Sequence, residues 1–177
     1  MAVINDYVDA NVISSVGKLT SAAFVSGVPE ICAVQAFTVA ATDSASSIYR
    51  IFKGIPADAI ILELYVMNDA VAGVSAGTIG LFNVKDFDGV GAAVAASALA
   101  SSFDFSSAHA IASGWVNCKT AVSIANHEKA LWELASQTQA PGAAGPKASA
   151  YDIGVTMVGM TTNTANLVFK LHYVRGV

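Results

Sequence analysis

The sequence predicts an all-β protein built from antiparallel strands, a sandwich or barrel. Apolar and polar residues alternate with period two over several stretches, the pattern of a strand with one buried face. Gly, Pro, Asn, Asp or Thr stand between those stretches. Helical spacing is rare, and short strands separated by turns point to the all-β class.

The elements follow in order. Residues 1–32 alternate poorly and are expected to form an N-terminal arm, extended rather than part of the core. Residues 33–177 are expected to form one β-sandwich domain. Arm residues Tyr7, Val12, Ile13, Leu19 and Phe24 are apolar anchors without a core of their own. They are candidates for laying the arm along a partner's surface.

"AVQAFTVAAT" from Ala33 is the first strand, and "SIYRIFKGI", Ser47 to Ile55, is the second. Pro56-Ala57-Asp58 is a turn cluster. The next strand is "AIILELYVMND", with Ile60, Leu62, Leu64 and Val66 on one face and Ile61, Glu63, Tyr65 and Met67 on the other. These last two stretches read as a hairpin. "TIGLFNV" and "YDIGVTMVG" are further strands. In "NLVFKLHYV", Leu167, Phe169, Leu171 and Tyr173 alternate with Val168, Lys170, His172 and Val174.

Two segments read differently. Gly91 to Ala108 is Ala/Ser-rich and fits either a weak helix or an extended strand. "NHEKALWELAS" predicts one short helix, with Asn126 as N-cap and Ala130, Leu131 and Leu134 on its buried stripe. The proline-containing run after it is a loop.

Charged residues make up only 12% of the chain, about half the usual share. Nine basic and thirteen acidic side chains on roughly 8,000 Å² of surface give about one charge per 370 Å². So bare a surface favours association, and predicts a subunit whose faces are covered by partners. The net charge of −4, with basic residues scattered singly, argues against a nucleic-acid partner. Ala and Val supply much of the apolar content, and no stretch reads as a membrane span. The first fifteen residues carry early acids and no secretory-leader pattern, so cytoplasmic synthesis is expected. Cys32 and Cys118 lie far apart and read as two buried thiols.

No motif carries catalysis. "GVSAG" around Ser75 has the spacing of a nucleophile elbow, but a strand follows where a helix is required, so a loop is the better reading. "DFDG", Asp86 to Gly89, lacks the remaining ligands of a calcium loop, because Val90 takes the next alternate position. His127-Glu128 lacks the second histidine of a zincin motif, since Leu131 stands there. "GAAGPK", Gly142 to Lys147, has proline between the glycine and lysine of a phosphate loop. Trp115, Trp132, Phe103 and Phe105 fit core or interface anchors better than a sugar platform. The expectation is a protein that is not an enzyme, with no cofactor and no metal.

The order of these pieces resembles the small capsid decoration, or cement, proteins of tailed bacteriophages. The resemblance rests on "SIYRIFKGIPADAIILELYVMND", then "GTIGLFNV", "LWELA" at Leu131 to Ala135, "YDIG" at Tyr151 to Gly154, and the closing "HYV" strand. It spans about Ser47 to Val174, and leaves Gly91 to Ala108 unmatched. It implies an antiparallel β-sandwich, jelly-roll-like, that binds the major capsid protein on the outside of the virion as a homotrimer. No catalytic residue is carried over. A viral attachment or lectin-like sandwich is the second reading, and a serine hydrolase on Ser75 the third.

Overall fold

The computed structural model describes residues 5–7, 13–16, 30–43, 45–85, 91–109, 114–136, 148–161 and 164–175. Its strands are β1 (Asn5–Tyr7), β2 (Ile13–Val16), β3 (Glu30–Val39), β4 (Ser47–Pro56), β5 (Ala59–Asn68), β6 (Gly77–Asn83), β7 (Ala93–Phe103), β8 (Val116–Asn117), β9 (Ala150–Met157) and β10 (Ala165–Arg175). They form two sheets in the orders β1-β4-β9-β6-β7 and β2-β3-β10-β5-β8, called here the β4 sheet and the β3 sheet.

The pairing has a simple rule. β3 pairs with β10, β4 with β9, β5 with β8 and β6 with β7, all antiparallel. The chain is thus one ribbon doubled back at the β6–β7 connection and wrapped so that its pairs alternate between sheets. Lateral pairing of β10 with β5 and of β9 with β6 completes the sheets. Eight strands so arranged are a jelly roll. The sequence-based fold class holds.

The core lies between the sheets. Leu64 and Val66 of β5, Ile79 and Leu81 of β6, Ile153 and Val155 of β9, and Leu167, Phe169 and Leu171 of β10 are fully buried. Phe37 of β3 bridges the layers, stacked 4.9 Å from Tyr49 of β4 and 6.0 Å from Phe169. Asn68 at the end of β5 is buried and ties down the segment after β7: its Nδ2 donates to the Phe105 and Ser107 carbonyls at 3.2 and 3.1 Å, and its Oδ1 meets His109 Nδ1 at 2.9 Å.

Several expectations are corrected here. β4 and β5 do not form a hairpin; they lie in different sheets, and only the Ala57-Asp58 turn joins them. Alternation identifies a strand and its apolar face, but the ladder partners, β9 and β10, come from distant sequence. The assigned face of β5 is also half wrong. Partners skip from Tyr173↔Ile61 to His172↔Glu63, leaving Leu62 in a bulge, 39% exposed, while Ile61 points into the core. The segment after Gly91 resolves as strand β7. The helix, α1, is only Leu131–Leu134, capped by Ala130 and not Asn126. Asn126 instead closes a 3-10 turn over Ile124–Asn126. Ala130 is held by a β-bridge to Ile60, and Glu133 Oε2 accepts its N–H at 2.9 Å.

Within the range expected to be an arm, β1 pairs parallel with β4 through Tyr7↔Arg50, and β2 pairs antiparallel with β3 through Ile13↔Val34. Each sheet thereby gains an outer strand. Val12, Leu19 and Phe24 lie outside the described residues, as do Asp86 to Gly89 and Gly142 to Lys147.

Candidate interaction surface

The two sheets differ on their outward faces, and the difference begins with residue type. On the β4 sheet, outward positions include Arg50 of β4, Gly80 and Phe82 of β6, and Asp152 and Gly154 of β9, all buried, while the next row, Ile48, Thr78 and Thr156, is half-buried. Gly80 has no room for a side chain: a Cβ there would lie 2.1 Å from the Ala95 carbonyl oxygen. The glycine lets β7, bulged between Ala95 and Ala100, fold its backbone onto the sheet. A Cβ at Gly154 would lie 2.7 Å from the Phe82 ring.

Arg50 is the largest fully buried side chain and organises this face. Its guanidinium lies 4.1 Å from the Phe82 ring centroid and 3.8 Å from an Asp152 carboxylate oxygen. It donates to the Asn83 carbonyl at 3.3 Å and to the Gly91 carbonyl. The other Asp152 oxygen accepts the Gly54 N–H at 2.9 Å, where β4 bulges and Gly54 takes a φ of +61°. A buried charge needs such a set of partners. The Arg50 cluster is a fastening inside the subunit.

The outward face of the β3 sheet has no such cover among the described residues. Val34 (β3), Met67 and Tyr65 (β5), Val168, Lys170 and Val174 (β10), and Trp115 before β8 are all half-buried, and Ala36 is exposed. Register places Lys170 between Val34 and Tyr65, and Val168 between Ala36 and Met67. Lys170 Nζ lies 5.1 Å from the Tyr65 ring and 4.8 Å from the Trp115 ring. A hydrogen bond to Glu63 is the main reason the Tyr65 phenol is raised above its ordinary pKa. Thr38 Oγ1 donates to Asn166 Oδ1 at 2.8 Å across the strands.

Three strands of ten or eleven residues, with short neighbours on either side, give a face on the order of 700 Å². That is the scale of one partner's share of a standard protein–protein interface, about 800 Å². It is mostly apolar at its centre, with two aromatic rings and one lysine.

The other residues singled out in the sequence are dispersed. Ser75 is exposed in the β5–β6 connection and is followed by strand β6. His127 is exposed, Phe103 and Phe105 are buried together with centroids 4.7 Å apart, and Trp132 packs half-buried on the core. Cys118 is buried, donates to the Leu64 carbonyl at 3.3 Å, and has its thiol pKa raised by burial. Cys32, expected to be buried, is half-buried on the open face. A cleft of about 140 Å³ at one end of the sandwich, lined by residues including Ile31, Phe52 and Tyr173, is smaller than the ~300 Å³ at which small-molecule pockets begin. Among the described residues no cluster of His, Cys, Asp and Glu is suited to a metal, and no helix is long and apolar enough to cross a membrane.

No protein-family model matches the chain, and no curated protein matches it. Among solved structures, it is similar to a chain from the capsid of Ralstonia phage GP4, with 15% identity and a TM-score of 0.51. The alignment covers 88% of this chain and 89% of that one. At that identity the likeness is one of fold, and it runs nearly end to end.

Proposed function

We propose that this chain is a structural protein of a tailed-bacteriophage virion that binds the outer surface of the capsid and stabilises the shell. The observation that carries the reading is the jelly roll shared over almost the whole length with a chain from a phage capsid. The low charge, and the face of the β3 sheet left open among the described residues, support it. The partner is the major capsid protein, the subunit associates with itself as a homotrimer, and the chain acts without turnover. Stabilisation works by mass action: a ligand that binds only the closed shell shifts the equilibrium away from opening, by about 2.7 kcal/mol per site at a concentration 100 times Kd.

In this reading the open face supplies area, and the segment carrying Tyr7, Val12, Ile13, Leu19 and Phe24 supplies further contacts. The test is to mix purified protein with heads lacking it, sediment them, and count bound copies by quantitative mass spectrometry. Saturable binding, with heads that then open at higher temperature, is expected. Recovery in the supernatant alone, or on tails, would defeat the proposal, and tail binding would favour the attachment reading. Removing residues 2–28 is expected to leave a folded sandwich that binds heads poorly. Equal occupancy at limiting protein would remove the N-terminal segment from the interface.

A further inference from the structure

On the open face, Cys32, His172 and Glu30 form a line across β3 and β10. Cys32 and His172 are register partners. The Cys32 sulfur lies 3.6 Å from His172 Nε2, and His172 Nδ1 is bonded to the Glu30 carboxylate. The imidazole is 21% and the carboxylate 36% exposed. A thiol, an imidazole nitrogen that can take its proton, and a carboxylate that fixes the ring are the parts of an activated nucleophile. With Nδ1–H held by Glu30, Nε2 is the basic nitrogen facing sulfur.

We propose that Cys32 is a covalent-modification site, a nucleophilic thiol paired with His172 and open to small, uncharged, soft electrophiles. This goes beyond the capsid-binding reading and does not depend on it. The charged groups around His172 set the pairing: Glu30 on β3, Glu63 opposite it on β5, and Lys170 two residues away on β10 beneath Tyr65 and Trp115. Over this stretch β3 is paired on both sides, by β2 and by β10, so its backbone N–H groups are engaged in the ladders. Among the described residues, that ladder pairing leaves this stretch of β3 without a backbone N–H to stabilise an oxyanion. It is a place of modification, with no turnover.

Iodoacetamide is the probe. The Cys32 sulfur attacks the methylene carbon, a C–S bond forms, and the C–I bond breaks with iodide keeping the electron pair. The proton that left sulfur stays on His172 Nε2 until solvent removes it. Folded full-length protein is treated across pH 5–9 and mapped by mass spectrometry, with buried Cys118 as internal reference and a peptide of residues 30–34 as the ordinary thiol. At pH 6 Cys32 is expected to react at least about tenfold faster than the peptide, whose thiol titrates near 8.5. His172→Gln should bring the rate to the peptide's, and Glu30→Gln should lower it by a smaller factor. Labelling at pH 6 no faster than the peptide, or an unchanged rate in His172→Gln, overturns the proposal. The parent protein's own pH–rate profile decides the matter should the variants fail to fold: a reactive plateau below pH 7 supports the pair, and a single rise near 8.5 refutes it.

Discussion

The outward faces of the two sheets are made from the same kind of strand and end in opposite states. On the β4 sheet, Gly80 admits the backbone of β7, Gly154 admits the Phe82 ring, and Arg50 beside Asp152 ties β4 to the Asn83 and Gly91 carbonyls. On the β3 sheet the corresponding positions carry Val, Met, Tyr, Trp and Lys at half exposure. A chain with few charges can bury much of one outer face within itself and, among the described residues, leave the other half-exposed. The inward-facing residues of both sheets meet in one core, so the contrast lies wholly outside it.

The comparison breaks most severely at Arg50. Replacing it by Met removes the guanidinium beside the buried Asp152 carboxylate, and removing one member of a buried ion pair costs about 3–5 kcal/mol. Urea unfolding of Arg50→Met should show a loss of that size. A loss under about 1 kcal/mol would mean that the covered face is not held by this pair.

Gly80→Ala is the next largest. Its Cβ would stand 2.1 Å from the Ala95 carbonyl, and the backbone of β7 must move away. The cost expected for overpacking is about 1–3 kcal/mol, with faster hydrogen exchange confined to β7.

Tyr49 probes the shared core as a control. Its hydroxyl donates to the Asp43 carboxylate, and burial first, then that bond, raises its pKa. A raised folded-state pKa gives stability that is fully present below the unfolded value, about 10, and lost as pH rises beyond it. Tyr49→Phe should cost about 1–2 kcal/mol at neutral pH. The gap to the parent should narrow above pH 10, measured by thermal melts in matched buffers.

The smallest effect on stability is expected at Ala36, exposed in the middle of the open face. Ala36→Arg should change unfolding free energy by no more than about 0.5 kcal/mol. Binding to undecorated heads should nevertheless fall at least tenfold in the sedimentation assay. Unchanged binding would take the open face out of the proposed interface.

Most of the fold was legible because burial on one side imposes alternation. β10 reads without error: Leu167, Phe169, Leu171 and Tyr173 all point inward. β5 misleads over its first half, Ile60 to Leu62, because a bulge at Leu62 obeys its neighbour β10 and leaves no local trace. The hairpin expectation failed for a related reason, since a short turn after Pro56 serves a reversal within a sheet or a crossing between sheets equally well. The covered face was partly visible as glycines in "TIGLF" and "YDIGV", read there only as strand residues. Arg50, flanked by Ile48, Tyr49, Ile51 and Phe52, was the available signal for a buried charge. The Cys32–His172–Glu30 line was not legible, because His172 stands about 140 residues from the other two and meets them only through the β3–β10 register.

The doubled-back ribbon also sets a schedule for synthesis. β9 is the strand between β4 and β6, and β10 the strand between β3 and β5. Both are translated after all the rest. Until they emerge, each sheet exists as two halves with long unpaired edges on β3, β4, β5 and β6, and at about 5–20 residues per second the interval lasts seconds. Unpaired edges of that length recruit other strands. A nascent or truncated chain that stops before residue 150 is therefore a sticky object that has no sheet to close, and yield in the cell will follow how well it is chaperoned through that interval.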